Sequence, residues 1–339
     1  MSVTALRRLL DDPVDVPRQP LISVIVPAYN AASFLPAMLE SVISQTEPRW
    51  ECIVVDDDSS DETHALATQY QRDDDRIRAT RTAHGGSSHA RNRGFRLISA
   101  SSRYVSFMDS DDVWLAHALE TLLSRLERDE RLIGSHGLAE FIDAAGRPIA
   151  PGTYSEAGRN RLGVAGHRLV RWPLDRPTSY GVLINANVLV PPGLLLARRR
   201  AYELAGPFDE ALAGPEDWDM LIRLSRFGDL DFVDEVILQY RRHDANQGAQ
   251  PTTPKQAWLV RCIAFHSPEN SAQQRDIARR GWRAYQLSMA GEGLRFAREA
   301  LAAGEVATAA SRALRVPVYA WRYARGYPLP RAKREPLVW

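Results

Sequence analysis

Three short apolar runs constrain this chain more than any other feature: Leu21-Ile22-Ser23-Val24-Ile25-Val26, Trp50-Glu51-Cys52-Ile53-Val54-Val55 and Tyr104-Val105-Ser106-Phe107-Met108. Each reads as a strand buried on both faces. Between them lie segments of helical period. Residues 33–43 carry Leu35, Met38, Leu39, Val42 and Ile43 behind a Ser33 cap, 62–71 form a second helix, and 88–100 a third behind Gly85-Gly86. Residues 76–82 read as a short edge strand. Strands alternating with helices predict an α/β chain built on a parallel, doubly wound sheet. All three strong strands end in polar or acidic residues on one edge, the carboxyl edge at which open α/β sheets hold ligands.

The acids at that edge need an explanation. Asp56-Asp57-Asp58 follows the second strand and Asp109-Ser110-Asp111-Asp112 the third. Like charges packed at a strand end are costly unless a cation or hydrogen-bonding ligand sits among them. A hard divalent ion bridging the carboxylates to a diphosphate would resolve the charge and supply chemistry. The plain alternative is an Asp-rich turn capping a helix that begins near Val113.

The remaining composition narrows the class. A chain of 339 residues with 45% apolar content can bury a large core. Its formal net charge of +1 gives no global case for nucleic acid. Cys52 and Cys262 stand far apart, which fits neither a disulfide framework nor a zinc site and suits a reducing compartment such as the cytoplasm. Residues 1–20 lack a long apolar core and do not read as a signal peptide, and no apolar stretch is long enough to span a bilayer. Gly-x-Gly-x-x-Gly after a strand, a Walker-type loop and His-Glu-x-x-His are all missing.

Between Arg147 and Pro192 the chain is rich in Gly, Pro and Asn, as expected of long loops with short strands. A helix over 199–205, another over 220–226 and a strand over 230–240 follow. From about Gln256 the composition becomes Ala- and Arg-rich and helical through Tyr323, with 282–315 as a candidate helical hairpin.

Seven short motifs in register then resemble family 2 glycosyltransferases of the GT-A fold. They are Ser23-Val24-Ile25-Val26-Pro27-Ala28-Tyr29-Asn30, Val54-Val55-Asp56-Asp57, Ala90-Arg91-Asn92-Arg93-Gly94, Phe107-Met108-Asp109-Ser110-Asp111-Asp112, Phe208-Asp209-Glu210, Glu216-Asp217-Trp218-Asp219 and Tyr240-Arg241-Arg242-His243. The resemblance spans roughly residues 21–247 and implies a mixed, mainly parallel GT-A sheet. The expected division is a leader over 1–20, a GT-A domain over 21–250 (nucleotide-binding half 21–133, acceptor half 134–250) and a helical extension over 251–339.

The resemblance also implies roles. Pro27, Ala28 and Tyr29 would line the nucleotide pocket, with the Tyr29 ring on the base, and Asp57 would accept from a base imide, favouring a UDP-sugar. The family usually has Gly where Asp58 stands; Asp tolerates the left-handed turn this requires. Arg91 would reach the nucleotide, Asp109 would hold the ribose with Ser110 beside it, and Asp111 with His243 would bind Mg2+ or Mn2+. Asp217 would be the catalytic base of an inverting displacement, with Glu216 and Trp218 at the acceptor. The partners so implied are a nucleotide-diphosphate sugar and a glycan or lipid-linked acceptor in polysaccharide synthesis. Two rival functions are a sugar nucleotidyltransferase, which would want a basic phosphate loop in place of Pro27-Ala28-Tyr29-Asn30, and an inactive GT-A scaffold or glycan-binding module, which would have lost Asp111 or Asp217.

The C-terminal stretch between Glu305 and Glu335 contains no acid. Arg312, Arg315, Arg322, Arg325, Arg331, Lys333 and Arg334 alternate there with Tyr319, Trp321, Tyr323 and Tyr327. Residues 312–334 suit peripheral contact with an anionic membrane face, and an RNA or protein partner nearly as well; the plain alternative is a solvated helix face.

Overall fold

A computed structural model describes residues 19–212, 214–244, 254–325 and 337. The three apolar runs form strands β1 (Ile22–Ala28), β2 (Trp50–Asp56) and β4 (Tyr104–Phe107), with β3 (Ile77–Arg81) beyond β2. Further strands are β5 (Val113–Trp114), β6 (Gly134–Ile142), β7 (Leu162–Ala165), β8 (Arg168–Arg171), β9 (Leu195–Arg198) and β10 (Leu230–Arg241). Eight of them join in one sheet, ordered β3-β2-β1-β4-β9-β6-β10-β5, while β7 and β8 form a separate hairpin. The β3-β2-β1-β4 block is parallel, as is β6 with β10; β9 runs antiparallel to both β4 and β6, and β5 antiparallel to β10. The expected mixed, mainly parallel sheet is therefore present, and β3 is the edge strand that its sparse apolar pattern predicts.

The core follows from the pattern. All seven residues of β2 are buried, as are Ile22, Val24, Ile25 and Val26 of β1, because helices cover both faces. The helix Gly86–Phe95 lies so close to the sheet that a Cβ on Gly94 would sit 2.4 Å from Ile25 Cγ2 and 3.2 Å from Val55 Cγ2. Only a residue without a side chain allows that approach.

Two local expectations are corrected. No helix begins near Val113. Val113 and Trp114 pair with Gln239 and Leu238 as β5, the Trp114 indole donates to the Gly193 carbonyl at 2.8 Å, and the helix starts at Ala118. Tertiary pairing at the sheet edge outcompetes an N-cap at Asp112. The first helix likewise spans Leu35–Ile43 with Phe34 at its cap position and no side-chain cap bond, so Ser33 does not cap it.

Within residues 134–192, buried Arg161 organises the loops. Its guanidinium stacks over the Phe232 ring, donates to Thr178 Oγ1 at 2.7 Å and to the Pro173 carbonyl at 2.9 Å. The helices expected beyond Gln256 are present as Pro254–His266, Ala272–Ala302, Val306–Ala313 and Val316–Arg325. Ala272–Ala302 begins with a capping box between Ser271 and Gln274, and the chain folds back at Gly304 into the expected hairpin. Tyr327, Arg331, Lys333 and Arg334 lie outside the described residues.

Candidate active site

The carboxyl ends of β1, β2 and β4 bring the expected residues to one edge. After β2 the chain turns through Asp58, which adopts a left-handed φ of 65° and ion-pairs with Arg81 at 2.8 Å. Asp thus takes the conformation usually left to Gly, and its carboxylate is neutralised rather than merely solvated. Asp61 is also engaged: it accepts from the Ala32 amide at 3.1 Å and the Thr63 hydroxyl at 2.5 Å, fastening the loop after β1.

Asp57 accepts the amides of Gly85 and Gly86 at 2.9 and 2.8 Å, and His84 Nδ1 lies 3.0 Å from its Oδ2. Its structural work is to hold the loop His84-Gly85-Gly86, where Gly86 has φ 85°. Ala28 is buried and offers only its carbonyl, which accepts the Asp57 amide at 2.8 Å, so its side chain does not line a nucleotide pocket. Tyr29 is 47% exposed and its ring leans against His84, centroids 4.6 Å apart. His84, which the motifs did not single out, thus joins Tyr29 as an exposed ring surface wide enough for a base. Its sequence signal is the His-Gly-Gly that follows β3.

Arg91 departs most from expectation. It is 4% exposed and faces acids, not solvent: Nη2 donates to Asp109 at 2.8 Å and Nη1 to Glu216 at 3.0 Å, above the Phe208 ring. A buried guanidinium held between two carboxylates fixes their positions relative to each other. Its neighbour Asn92 exchanges hydrogen bonds with both backbone groups of Phe208 (2.8 and 3.0 Å) and donates to Glu210 at 2.8 Å. The motifs at 90–94, 107–112, 208–210 and 216–219 are therefore one contact network.

Asp111 Oδ2 and His243 Nε2 lie 2.9 Å apart, with the His243 ring against Phe34. Burial and the charge of Asp109 push the Asp111 carboxyl above its usual range, against the pull of His243. Asp112 is fully buried; it accepts the Arg241 amide at 2.9 Å while its other oxygen has no partner among the described residues, and burial with two neighbouring carboxylates raises its pKa strongly. Among the described residues no three His, Cys, Asp or Glu side chains converge into a protein metal cage. Asp111 with His243 nevertheless fits a Mg2+ or Mn2+ that takes its other ligands from a diphosphate and water, and the excess of negative charge here is what such an ion relieves.

Asp217 opens the helix Glu216–Leu224 at the far side of Arg91. It is partly exposed, and desolvation, then the charge of Glu216, pushes its pKa up to about 7, with Arg91 opposing. Asn187 Nδ2 donates to its Oδ2 at 3.1 Å, a contact with no motif to announce it. Trp218 does not floor a sugar site: it is buried, donates to the Leu183 carbonyl at 2.7 Å and belongs to the core. Glu216 is also buried, its Oε1 accepting from Ser87 and Arg91, so it ties the start of the helix Glu216–Leu224 to the helix Gly86–Phe95.

The sheet and its acidic edge define a GT-A type transferase fold. S. aureus TarS 1-349, in complex with UDP-GlcNAc, aligns with a TM-score of 0.58 at 14% identity over 88% of this chain and 91% of that one. The mannosyltransferase PcManGT from Pyrobaculum calidifontis, in complex with GDP-Man and Mn2+, aligns with a TM-score of 0.58 at 18% identity over 95% and 85%. At the level of family, residues 23–148 match the model of Glycosyl transferase family 2. Over 106 residues the chain is 42% identical to the putative teichuronic acid biosynthesis glycosyltransferase TuaG of Bacillus subtilis, covering 31% of this chain and 41% of that protein. Over 145 residues it is 34% identical to the Escherichia coli UDP-Glc:alpha-D-GlcNAc-diphosphoundecaprenol beta-1,3-glucosyltransferase WfgD, covering 41% and 56%. The chain thus spans about half the length of these curated relatives.

Proposed function

We propose that this protein is an inverting glycosyltransferase that moves a sugar from a nucleotide diphosphate to a glycan or lipid-linked acceptor in cell-surface polysaccharide synthesis. The observation that carries the reading is Asp217: a carboxyl tuned to about 7, anchored by Asn187 and joined through Glu216 and Arg91 to Asp109. A base poised near neutral pH suits the removal of a proton from a sugar hydroxyl. In the reaction the acceptor hydroxyl attacks the anomeric carbon from the face opposite the nucleotide. The new C–O bond forms as the bond to the diphosphate breaks, and Asp217 receives the hydroxyl proton.

Tyr29 and His84 would offer the base one joint ring surface to stack on, with Asp57 holding their loop and retaining acceptor capacity for an imide, which favours a UDP-sugar. Asp109 and Ser110 would face the ribose. Asp111 and His243 would hold Mg2+ or Mn2+, which when bound stabilises the negative charge of the departing diphosphate. The WfgD relative, named for a diphosphoundecaprenol-linked acceptor, motivates a lipid-linked acceptor here. Among the described residues no helix is long and apolar enough to cross a membrane. The free, buried Cys52 and Cys262 suit a cytoplasmic protein.

A thermal-shift panel of UDP, GDP, dTDP and CDP, each with and without Mn2+, tests the reading. A nucleotide present at 100 times its Kd adds about 2.7 kcal/mol of stability. A selective, metal-dependent rise is expected. No response to any of the four would leave a fold without a donor site.

A further inference from the structure

The helices Val306–Ala313 and Val316–Arg325, with the two-residue turn Leu314-Arg315 that joins them, carry four charged residues, Arg312, Arg315, Arg322 and Arg325, and no acid. They also display large apolar side chains to solvent: Leu314 is 75% exposed, Val306 67%, Trp321 52% and Val318 46%. Their inner side is taken up by the long helix Ala272–Ala302, where Val316 packs against Gly293 and Arg312 lies over Phe296. Val318, Trp321 and Arg325 follow one another at helical spacing within Val316–Arg325 and share a side. A groove of about 680 Å³ runs along these two helices, lined by Ala307, Ala310, Leu314, Arg315, Val318 and Arg322.

We propose that this outer face docks onto an anionic phospholipid bilayer. Acyl chains would meet the apolar floor of the groove while Arg315 and Arg322 meet lipid phosphates, the arrangement of a helix lying in the interface plane. Charge decides between this and other occupants. A symmetric contact with a second copy would set the same arginine-rich patch against itself, with no acid on either helix to pair it. A nucleic acid would satisfy the arginines but leave Val306, Leu314 and Val318 facing phosphate. An anionic bilayer meets both halves of the surface. The use of such docking in catalysis rests on the lipid-linked acceptor proposed above; the docking itself does not.

The test is flotation of the intact chain with vesicles of phosphatidylcholine alone and of equal parts phosphatidylcholine and phosphatidylglycerol, at low and high salt. Binding is expected only with the anionic vesicles and weakens as salt screens it. Arg315→Gln with Arg322→Gln lowers the partition coefficient by about fivefold for each arginine removed. Leu314→Glu with Val318→Glu lowers it at least about tenfold. Both variants keep the wild-type nucleotide thermal shift, which shows that the fold and donor site survive. The proposal is overturned by absence of flotation with anionic vesicles, by equal flotation with neutral ones, or by binding unchanged in both variants. A concentration-dependent dimer dissolved by Leu314→Glu would assign the face to a second copy. Flotation without any nucleotide response would retain docking and remove the transferase reading.

Discussion

Arg91 Nη1 and Glu216 Oε1, 125 positions apart in the chain, lie 3.0 Å from one another inside the protein. The same guanidinium holds Asp109 at 2.8 Å, so one buried cation ties the end of β4 to the helix that carries Asp217. The acids that would face the donor and the base that would serve the acceptor are placed by a single side chain. Neither halves of such a cluster can be loosened without disturbing the other.

Arg91→Met therefore leaves two carboxylates without their counter-charge. Breaking a buried pair from one side costs about 3–5 kcal/mol, and urea unfolding should show a loss on that scale. Adding Glu216→Gln to Arg91→Met should recover part of it, because the orphaned charge is then gone. A fully additive double variant would mean that the two side chains do not interact.

Asp217→Asn should reduce turnover by about 10²–10⁴-fold while nucleotide binding persists. It should also raise the Tm at pH 8. The folded-state pKa of about 7 lies above the ordinary value of 3.8, so the folded protein favours the protonated carboxyl. The stability this gives is present below about pH 4 and is lost as pH rises through 7. Asn mimics the neutral form at every pH. A variant that loses activity and Tm together at pH 8 would point to misfolding instead of a missing base.

The rate itself has the opposite slope. kcat/KM should climb as pH passes through about 7, because only ionised Asp217 can accept a proton. Asn187→Ala removes the donor that favours the carboxylate, so the rising limb should move to higher pH with turnover reduced. A pH profile identical to wild type would show that Asn187 does not position the base.

Asp111→Asn should abolish the Mn2+-dependent part of nucleotide binding and leave the metal-free part near its original strength. Titration calorimetry with and without EDTA separates the two. Equal binding in both conditions for the unsubstituted protein would remove Asp111 and His243 from any metal role.

Gly94→Val should destabilise the protein by about 1–3 kcal/mol or more through overpacking, since the first added carbon already meets Ile25 Cγ2 at 2.4 Å. A Tm equal to that of the unsubstituted chain would mean that the helix can retreat from the sheet.

By itself the sequence determined the sheet's parallel core, because apolar runs buried on both faces and alternating with helix-period segments have few other ways to fold. It determined the acidic edge for the same reason: Asp56-Asp57-Asp58 and Asp109-Ser110-Asp111-Asp112 directly follow strands that point one way. What only the tertiary structure decided is the assignment of each polar group to its partner. Arg91 reads as a residue reaching for the nucleotide, yet two carboxylates distant in sequence enclose it; Trp218 sits beside an acid-rich motif, yet Leu183 and the core claim its indole. Asn187 and His84 carry no motif and become part of the site only because loops distant in sequence close on Asp217 and Asp57. Burial periodicity is local and can be read along the chain. Hydrogen-bond and charge partners are set by which segments meet in space, and desolvation gives those pairings their strength only after the chain has folded.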